Sequence, residues 1–385
     1  MAGVLKHWRE SASLIIASKK LSMPQPRQTL LNRIMRKQPE LVENTHDEIF
    51  RVLLLKRSAA SSNLPKVHVF PGGMLDNNDF SKEWLDLTGC NGDLLQLLAR
   101  GFAGAPIFSR KRAAEFSEIP SEIALRIAAI RETFEESGIL LARPIDDVET
   151  LKLNSLKSHP ICSTYCNMSS RVNIEWRKQI ISDPSQFLVM CKELKMVPDI
   201  WSLYEWSNWL TPLLRGSRFD TAFFICCVDE APLIYDSEET EEGIWLSPSG
   251  ILKACSQGIV PLAPPQLYEL SRLTQFNTTD DLLSLSWKRS AYRAKRWMPV
   301  LVQCQDCTMI VLPGDDMYPE NPDLTGEIGS GATEVSQSFQ ELQNLYPRQN
   351  RIVVNENKQL SLYCNVKFVS GHMLPLEFNK EALSK

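Results

Sequence analysis

Three glutamates, Glu132, Glu135 and Glu136, fall within the stretch RETFEESGI that begins at Arg131. Like charges this close repel one another, so the crowding costs stability unless a cation sits among them. Two chemistries fit: a solvated helix face, or a site for a hard divalent cation, which takes several carboxylate oxygens. Turning SEIALRIAAIRETFEESG (121–138) by ~100° per residue gathers Ile123, Ile127, Ile130 and Phe134 into one core stripe. The glutamates then lie on the opposite, exposed side at positions i, i+3 and i+4. Arg131 precedes Glu135 by four residues, the spacing for an ion pair that fixes a rotamer. Gly138 follows as the residue that ends the helix.

These groups need elements to hold them. VFPGG (69–73) reads as a short strand running into a tight turn. There Gly72 and Gly73 let the backbone approach a phosphate or a metal without an intervening side chain. IFRVLLLKR (49–57) reads as a buried strand that delivers Lys56, Arg57 and then Ser58 to its end. WRESASLIIA (8–17) reads as a first strand, and NWLTPLLRGSRFDTAFFICCV (208–228) as two strands joined at 215–217. PSGILKAC and PPQLYELSRL start helices with proline near the first turn. The stretches around VLVQC and TMIVLPG are strands. Short helices are expected at WLDL and DLLQLLARGF, and DSEETEEG (236–243) is expected to be an acidic loop.

Taken together, the glycine pair and the glutamate helix resemble the Nudix box, G-x5-E-x7-R-E-U-x-E-E-x-G-U. The resemblance implies an α/β fold, the Nudix α/β/α sandwich with a mixed sheet. It also implies hydrolysis of a nucleoside diphosphate linked to another moiety, with Mg2+ or Mn2+ as cofactor. Glu132, Glu135 and Glu136 become the catalytic and metal-binding carboxylates, and Arg131 a positioner. Two positions depart from the pattern. Ser117 stands where the leading glycine belongs, and the matching Gly73 lies 44 positions earlier. Ile123 stands where an earlier glutamate belongs, and Glu122 is one residue out of register.

LLLKRSAASSNLPKVHVFPGG (53–73) resembles the motif that leads into the box in coenzyme A diphosphatases, with Arg57 and Ser58 as its Arg-Ser. That branch would hydrolyse coenzyme A and acyl-coenzyme A to 3′,5′-ADP and (acyl-)4′-phosphopantetheine. Lys56, Arg57, Ser58, Gly72 and Gly73 are then the substrate-binding candidates, and Lys66 could add charge for the phosphates. Similarity to the peroxisomal members of the branch runs along nearly the whole chain. It implies a Nudix domain over 1–265, with insertions at about 18–47 and 74–117. A C-terminal extension over 266–385 is expected to pack on the same domain.

Other features bear on partners, redox state and location. At 385 residues and a net charge of −4, the chain gives no reason to expect nucleic acid as main partner. No apolar run reaches the ~18 residues that span a bilayer. Ten cysteines spread along the chain read as reduced thiols. The pair Cys304 and Cys307 has the spacing of half a zinc site, for which Cys162 and Cys166 are the candidate partners. Glu241 or Glu242 could supply a further ligand or base. His68 reads as an ordinary strand histidine. KRSAYRAKRW (288–297) reads as a solvated basic helix that could also touch RNA, and capped RNA or another nucleoside diphosphate derivative is one alternative substrate. A catalytically inactive Nudix scaffold is the other alternative. Residues 1–38 carry eight Lys/Arg against one acid, as a mitochondrial transit peptide would, whereas the resemblance implies a peroxisome. Leu383-Ser384-Lys385 matches neither address.

Overall fold

The computed structural model describes residues 8–21, 50–60, 64–89, 105–148, 160–212, 218–231, 240–289, 292, 294–325, 332–367 and 373–379. Its centre is β1 (Arg9–Leu21), which pairs in parallel with β8 (Phe219–Ala231) from Arg9↔Phe219 to Leu21↔Ala231. β7 (Tyr204–Leu210) and β10 (Arg296–Trp297) extend the sheet beyond β8. On the other side come β2 (Arg51–Arg57) and β3 (His68–Val69). β4 (Gly72–Met74) pairs with β1, and β9 (Thr240–Leu246) pairs with β2.

Both faces of this mixed sheet are covered, so β1 and β2 are apolar on both sides. Ala12, Leu14, Ile16, Leu53 and Leu55 point into one core. It is shared with Ile123, Ile127, Ile130 and Phe134 of the helix α3 (Ser121–Ser137), all completely buried. Short helices α1 (Glu83–Thr88) and α2 (Pro106–Ser109) precede it on this face. Two more, α4 (Ser170–Ser182) and α5 (Gln186–Glu193), follow it, beside the antiparallel pair β5 (Ala142–Pro144) and β6 (Met196–Pro198). Ile15, Ala17, Val52 and Leu54 point the opposite way. They meet α6 (Pro248–Ser256), α7 (Pro264–Leu273) and α8 (Thr279–Arg289). The result is the α/β/α sandwich. Each fully buried aliphatic of this kind stabilises it by ~1.5–3 kcal/mol.

A second, five-stranded sheet lies in the carboxyl-terminal part. It contains β11 (Val300–Gln303), β12 (Cys307–Val311), β13 (Thr333–Glu334), β14 (Asn350–Asn355) and β15 (Leu360–Cys364). Ile310, Ile352 and Leu362 of this sheet, with Leu312 just after β12, join the core under α6 to α8. A boundary drawn at residue 265 falls inside α7.

Several local expectations change. β1 runs on to Leu21, so residues 18–21 belong to the central strand rather than to an insertion. The rest of that insertion, and all of DLLQLLARGF, lie outside the described residues. The PGG turn is instead the entry to strand β4. Leu14 N donates to Pro71 O at 2.8 Å, and Gly72–Met74 then pairs with Ser11–Ser13. One edge of β1 is therefore shared, with β4 along its first half and β2 only at Ala17–Ser18. The expected acidic loop is in part strand β9, whose register on β2 skips Glu241. The expected basic helix ends at Arg289. Arg289 is buried and donates to Trp206 O at 2.8 Å, while Arg296 donates to Asp220 at 2.6 Å. Those two arginines are used by the core. Cys304 and Cys307 are buried where β11 turns into β12, with Cys304 N donating to Cys307 O. Cys162 instead donates its thiol to Cys227 O, and Cys166 N bonds to Leu140 O.

Candidate active site

Arg131 organises the site. Its Nε and Nη2 make a bidentate pair with Asp79 at 2.8 and 2.9 Å, and Nη2 also reaches Met74 O at 2.9 Å. Nη1 donates to Glu132 at 3.0 Å and to Glu135 at 2.7 Å. The i, i+4 pair is realised, and Arg131 draws both glutamates to one point. Asp79 is itself fixed. It sits in the 3-10 turn Asn77–Phe80, where Asp76 and Asp79 cap each other's backbone, and Asp76 N donates to Asp79 at 2.8 Å. Sequence reasoning missed Asp79. The D-x-x-D spacing of Asp76 and Asp79 marks a capped turn, but nothing local says that the turn aims its second carboxylate at Arg131.

Glu136 makes a different contact. Its Oε2 accepts from Gly72 N at 2.9 Å. Gly72 has φ +148°, and a Cβ there would come within 2.3 Å of Ala12 O. At Gly73 a Cβ would lie 2.2 Å from Glu132 Oε2. The first glycine is needed for its backbone, the second for its lack of a side chain beside a carboxylate. The carboxyl end of α3 is held as firmly. Gly138 adopts φ 74° and its N–H closes on Phe134 O. Asn173 donates to Gly138 O at 2.7 Å, and Arg177 donates to Glu135 O through Nε and Nη2. The last carbonyls of a helix need such partners.

The glutamate face of α3 is not exposed as the periodicity suggests. β4 and the Asn77–Phe80 turn cover it, leaving the side chains of Glu132 and Glu135 only 13% and 12% accessible. Glu136 and Arg131 are buried. Three carboxylates thus surround one guanidinium, with Glu136 adjacent. Burial, with the added repulsion of Glu135 and Asp79, pushes the Glu132 carboxyl up to about 8 against the opposing pull of Arg131. Among the described residues, no three acidic, histidine or cysteine side chains form a ready-made metal cage. The donors are nevertheless hard oxygens in acid excess, the set that fits a hard divalent cation. Glu132 and Glu136, with Glu135 beside them, are the residues that would hold it. Ile123, where the box has an earlier glutamate, is core, and Glu122 lies ten residues from Glu132, ~15 Å along the axis.

The substrate candidates divide between the two faces of the sheet. Pleating puts Arg57 with Leu53 and Leu55 on the α3 side, and Lys56 with Val52 and Leu54 on the other. Lys56 stands opposite His68 on β3 and Glu242 on β9, so Glu242 also faces away from α3. Arg57 Nε is buried and has no hydrogen-bond partner among the described residues. Ser58 Oγ accepts from Ala60 N at 3.1 Å, a turn contact. Lys66 adopts a left-handed backbone, φ 64°, in the turn before β3.

The model of the NUDT19 Nudix domain matches residues 8–273, and that of the NUDT19 C-terminal domain matches residues 301–365. The acyl-coenzyme A diphosphatase NUDT19 of Xenopus laevis is 37% identical over 401 residues, covering 100% of both chains. Its namesake in Gallus gallus is 35% identical over 390 residues, covering 98% of this chain and 97% of its own. A crystal structure of a NUDIX hydrolase from Alicyclobacillus acidocaldarius aligns with 72% of this chain and 96% of its own, at 18% identity and a TM-score of 0.46. By domain match and by identity over its whole length, the chain belongs to the NUDT19 family of Nudix hydrolases, which act on a diphosphate bond.

Proposed function

We propose that the chain hydrolyses the diphosphate of coenzyme A and acyl-coenzyme A, giving 3′,5′-ADP and (acyl-)4′-phosphopantetheine, with Mg2+ or Mn2+ as cofactor. The observation that carries the chemistry is the acid excess around Arg131, built against Gly72 and Gly73. The substrate class rests on the relatives' activity and on the Arg57-Ser58 motif.

A bound divalent ion would neutralise the diphosphate and lower the pKa of the attacking water. The chain's own residues do the positioning. Arg131 holds Glu132 and Glu135 in fixed rotamers while Asp79 holds Arg131 from behind. The Gly72 N–H fixes Glu136 Oε2, so these carboxylates need little reorganisation on loading. Arg57, on the α3 side with an unused Nε donor, binds diphosphate oxygens. Lys56, on the far face, takes no part in that contact.

The test is a substrate panel of coenzyme A, an acyl-coenzyme A, capped RNA and ADP-ribose, each with and without Mg2+ or Mn2+. Products are identified by mass spectrometry. Metal-dependent release of 3′,5′-ADP from the first two is expected. Turnover of capped RNA alone would overturn the substrate assignment, and turnover of none would indicate an inactive scaffold.

A further inference from the structure

A cavity of about 340 Å3 opens over the amino-terminal end of β1, beside β4 and the 110–116 loop. Four cations line it, Arg9, Arg110, Lys111 and Arg112, against one carboxylate, Glu10. That carboxylate is already shared. Arg112 Nε and Nη2 each donate to it at 2.8 Å, and Arg110 Nε lies 3.0 Å from Oε1. Behind it, Asp220 is shared in the same way between Arg110 and Arg296. Lys111 and Arg9 have no carboxylate partner among the described residues, and both are exposed. Arg9 reaches only the Met74 thioether, at 3.7 Å.

The cations therefore exceed the anions, and the walls are low in dielectric. The side chains of Arg110 and Arg112 are each 6% accessible, so a positive potential there is poorly screened. The Arg110 guanidinium is itself perturbed, chiefly by burial. Burial, together with Arg296 and Arg112, brings its pKa down to about 10 despite the opposing Glu10. Trp8 and Phe116 add apolar surface beside the charge.

The cavity also lies next to the catalytic glycines. Met74, on its wall, directly follows Gly73, and its carbonyl is held by Arg131. We propose that this cavity is a phosphate-monoester subsite that receives the 3′-phosphate of the substrate, an assignment that rests on the coenzyme A reading above. In coenzyme A the diphosphate and the 3′-phosphate hang from C5′ and C3′ of one ribose. Their spacing corresponds to a step of one or two residues along a strand, ~3.3–7 Å. A diphosphate at Gly72–Gly73 thus places the monoester at Met74 and the cationic wall. Arg110 and Arg112 form the inner wall, and Lys111 and Arg9 close over the phosphate from the rim.

Lys111→Ala and Arg9→Ala remove rim charges without touching the Glu10 and Asp220 pairs, so both variants should fold. Binding of 3′,5′-ADP and of 5′-AMP to the metal-free protein is measured by calorimetry. The wild type should prefer 3′,5′-ADP about tenfold or more, and each variant should lose most of that preference while binding 5′-AMP normally. In turnover, KM for coenzyme A should rise in the variants, with kcat and the KM for dephospho-coenzyme A unchanged. Equal wild-type affinity for the two nucleotides, or equal losses on both, overturns the subsite. If the wild type hydrolyses coenzyme A but the variants behave like it on every ligand, the subsite falls and the substrate reading stands. If the nucleotide preference depends on Lys111 but coenzyme A is not hydrolysed, the subsite stands and the substrate reading falls.

Discussion

Two buried ion clusters of opposite balance lie on opposite faces of the sheet. Around Arg131, Asp79, Glu132 and Glu135 crowd one guanidinium, with Glu136 adjacent. Around Glu269 of α7, Arg272 donates at 2.7 Å, and the Trp206 and Trp209 indoles donate at 2.7 and 2.8 Å. Arg289 lies beside it. Its guanidinium and that of Arg272 each sit 4.7 Å from the centre of the Trp206 ring. The pKa shifts mirror each other. Burial raises Glu132 to about 8, with further acids adding to the shift, and burial lowers Arg289 to about 9, with Arg272 adding. The difference lies in what absorbs the excess. Surplus cations in the second cluster rest on a fixed aromatic face, which is attractive and carries no net charge. Surplus carboxylates in the first share a single guanidinium, and an acid excess of this kind suits a cation brought from solvent. One cluster belongs to the architecture, and the other is the site proposed for the reaction.

Glu136→Gln should separate these roles most sharply. The amide keeps an acceptor for Gly72 N but removes a ligand charge, so kcat should fall by more than the ~10–100-fold typical of an outer-shell loss. Thermal stability should stay near wild type, and activity near wild type would remove Glu136 from the site. Glu269→Gln should do the reverse. Leaving Arg272 without its carboxylate in the core should cost about 3–5 kcal/mol in urea denaturation, with the activity of the folded fraction retained. A cost under ~1 kcal/mol would mean that the indole ring, not the carboxylate, holds the arginines.

Asp79→Asn probes the acid-rich cluster from behind. It loosens Arg131 but also relieves repulsion among carboxylates, so its stability cost should be smaller than that of Glu269→Gln. Activity should drop ~10–100-fold, and half-maximal activity should need more metal. An unchanged metal requirement would make Asp79 purely structural.

The smallest effect is one of pH. Burial pushes the Glu132 carboxyl up to about 8 in the metal-free fold, against ~4.3 when unfolded. The folded state therefore holds the proton more tightly. The resulting stability is fully present below ~4.3, declines as pH rises, and is gone above about 8. Glu132→Gln should flatten this slope in chemical denaturation from pH 5 to 8, and an unaltered slope would place its origin elsewhere.

The helix 121–137, its stop at Gly138 and the Arg131–Glu135 pair were legible because they are local, set by a 3.6-residue period and an i, i+4 spacing. The central strands were legible too, since burial on both faces makes them continuously apolar. Asp79 was not, because it meets Arg131 across 52 residues of chain, inside a segment that pattern matching treats as an insertion. Arg110 and Arg112 come from the same segment and reach Glu10 on β1 only in the folded chain. The division of Lys56 from Arg57 depended on β2 being pleated between two covered layers, which sends neighbouring residues to opposite faces. Likewise the basic run 288–297 carries its charge in plain view, yet its fate followed from Trp206 and Asp220, distant residues that take up Arg289 and Arg296. Side-chain chemistry and short-range periodicity travel with the chain itself. Which charge faces which partner is set by contacts between remote segments, and those exist only once the sheet has assembled.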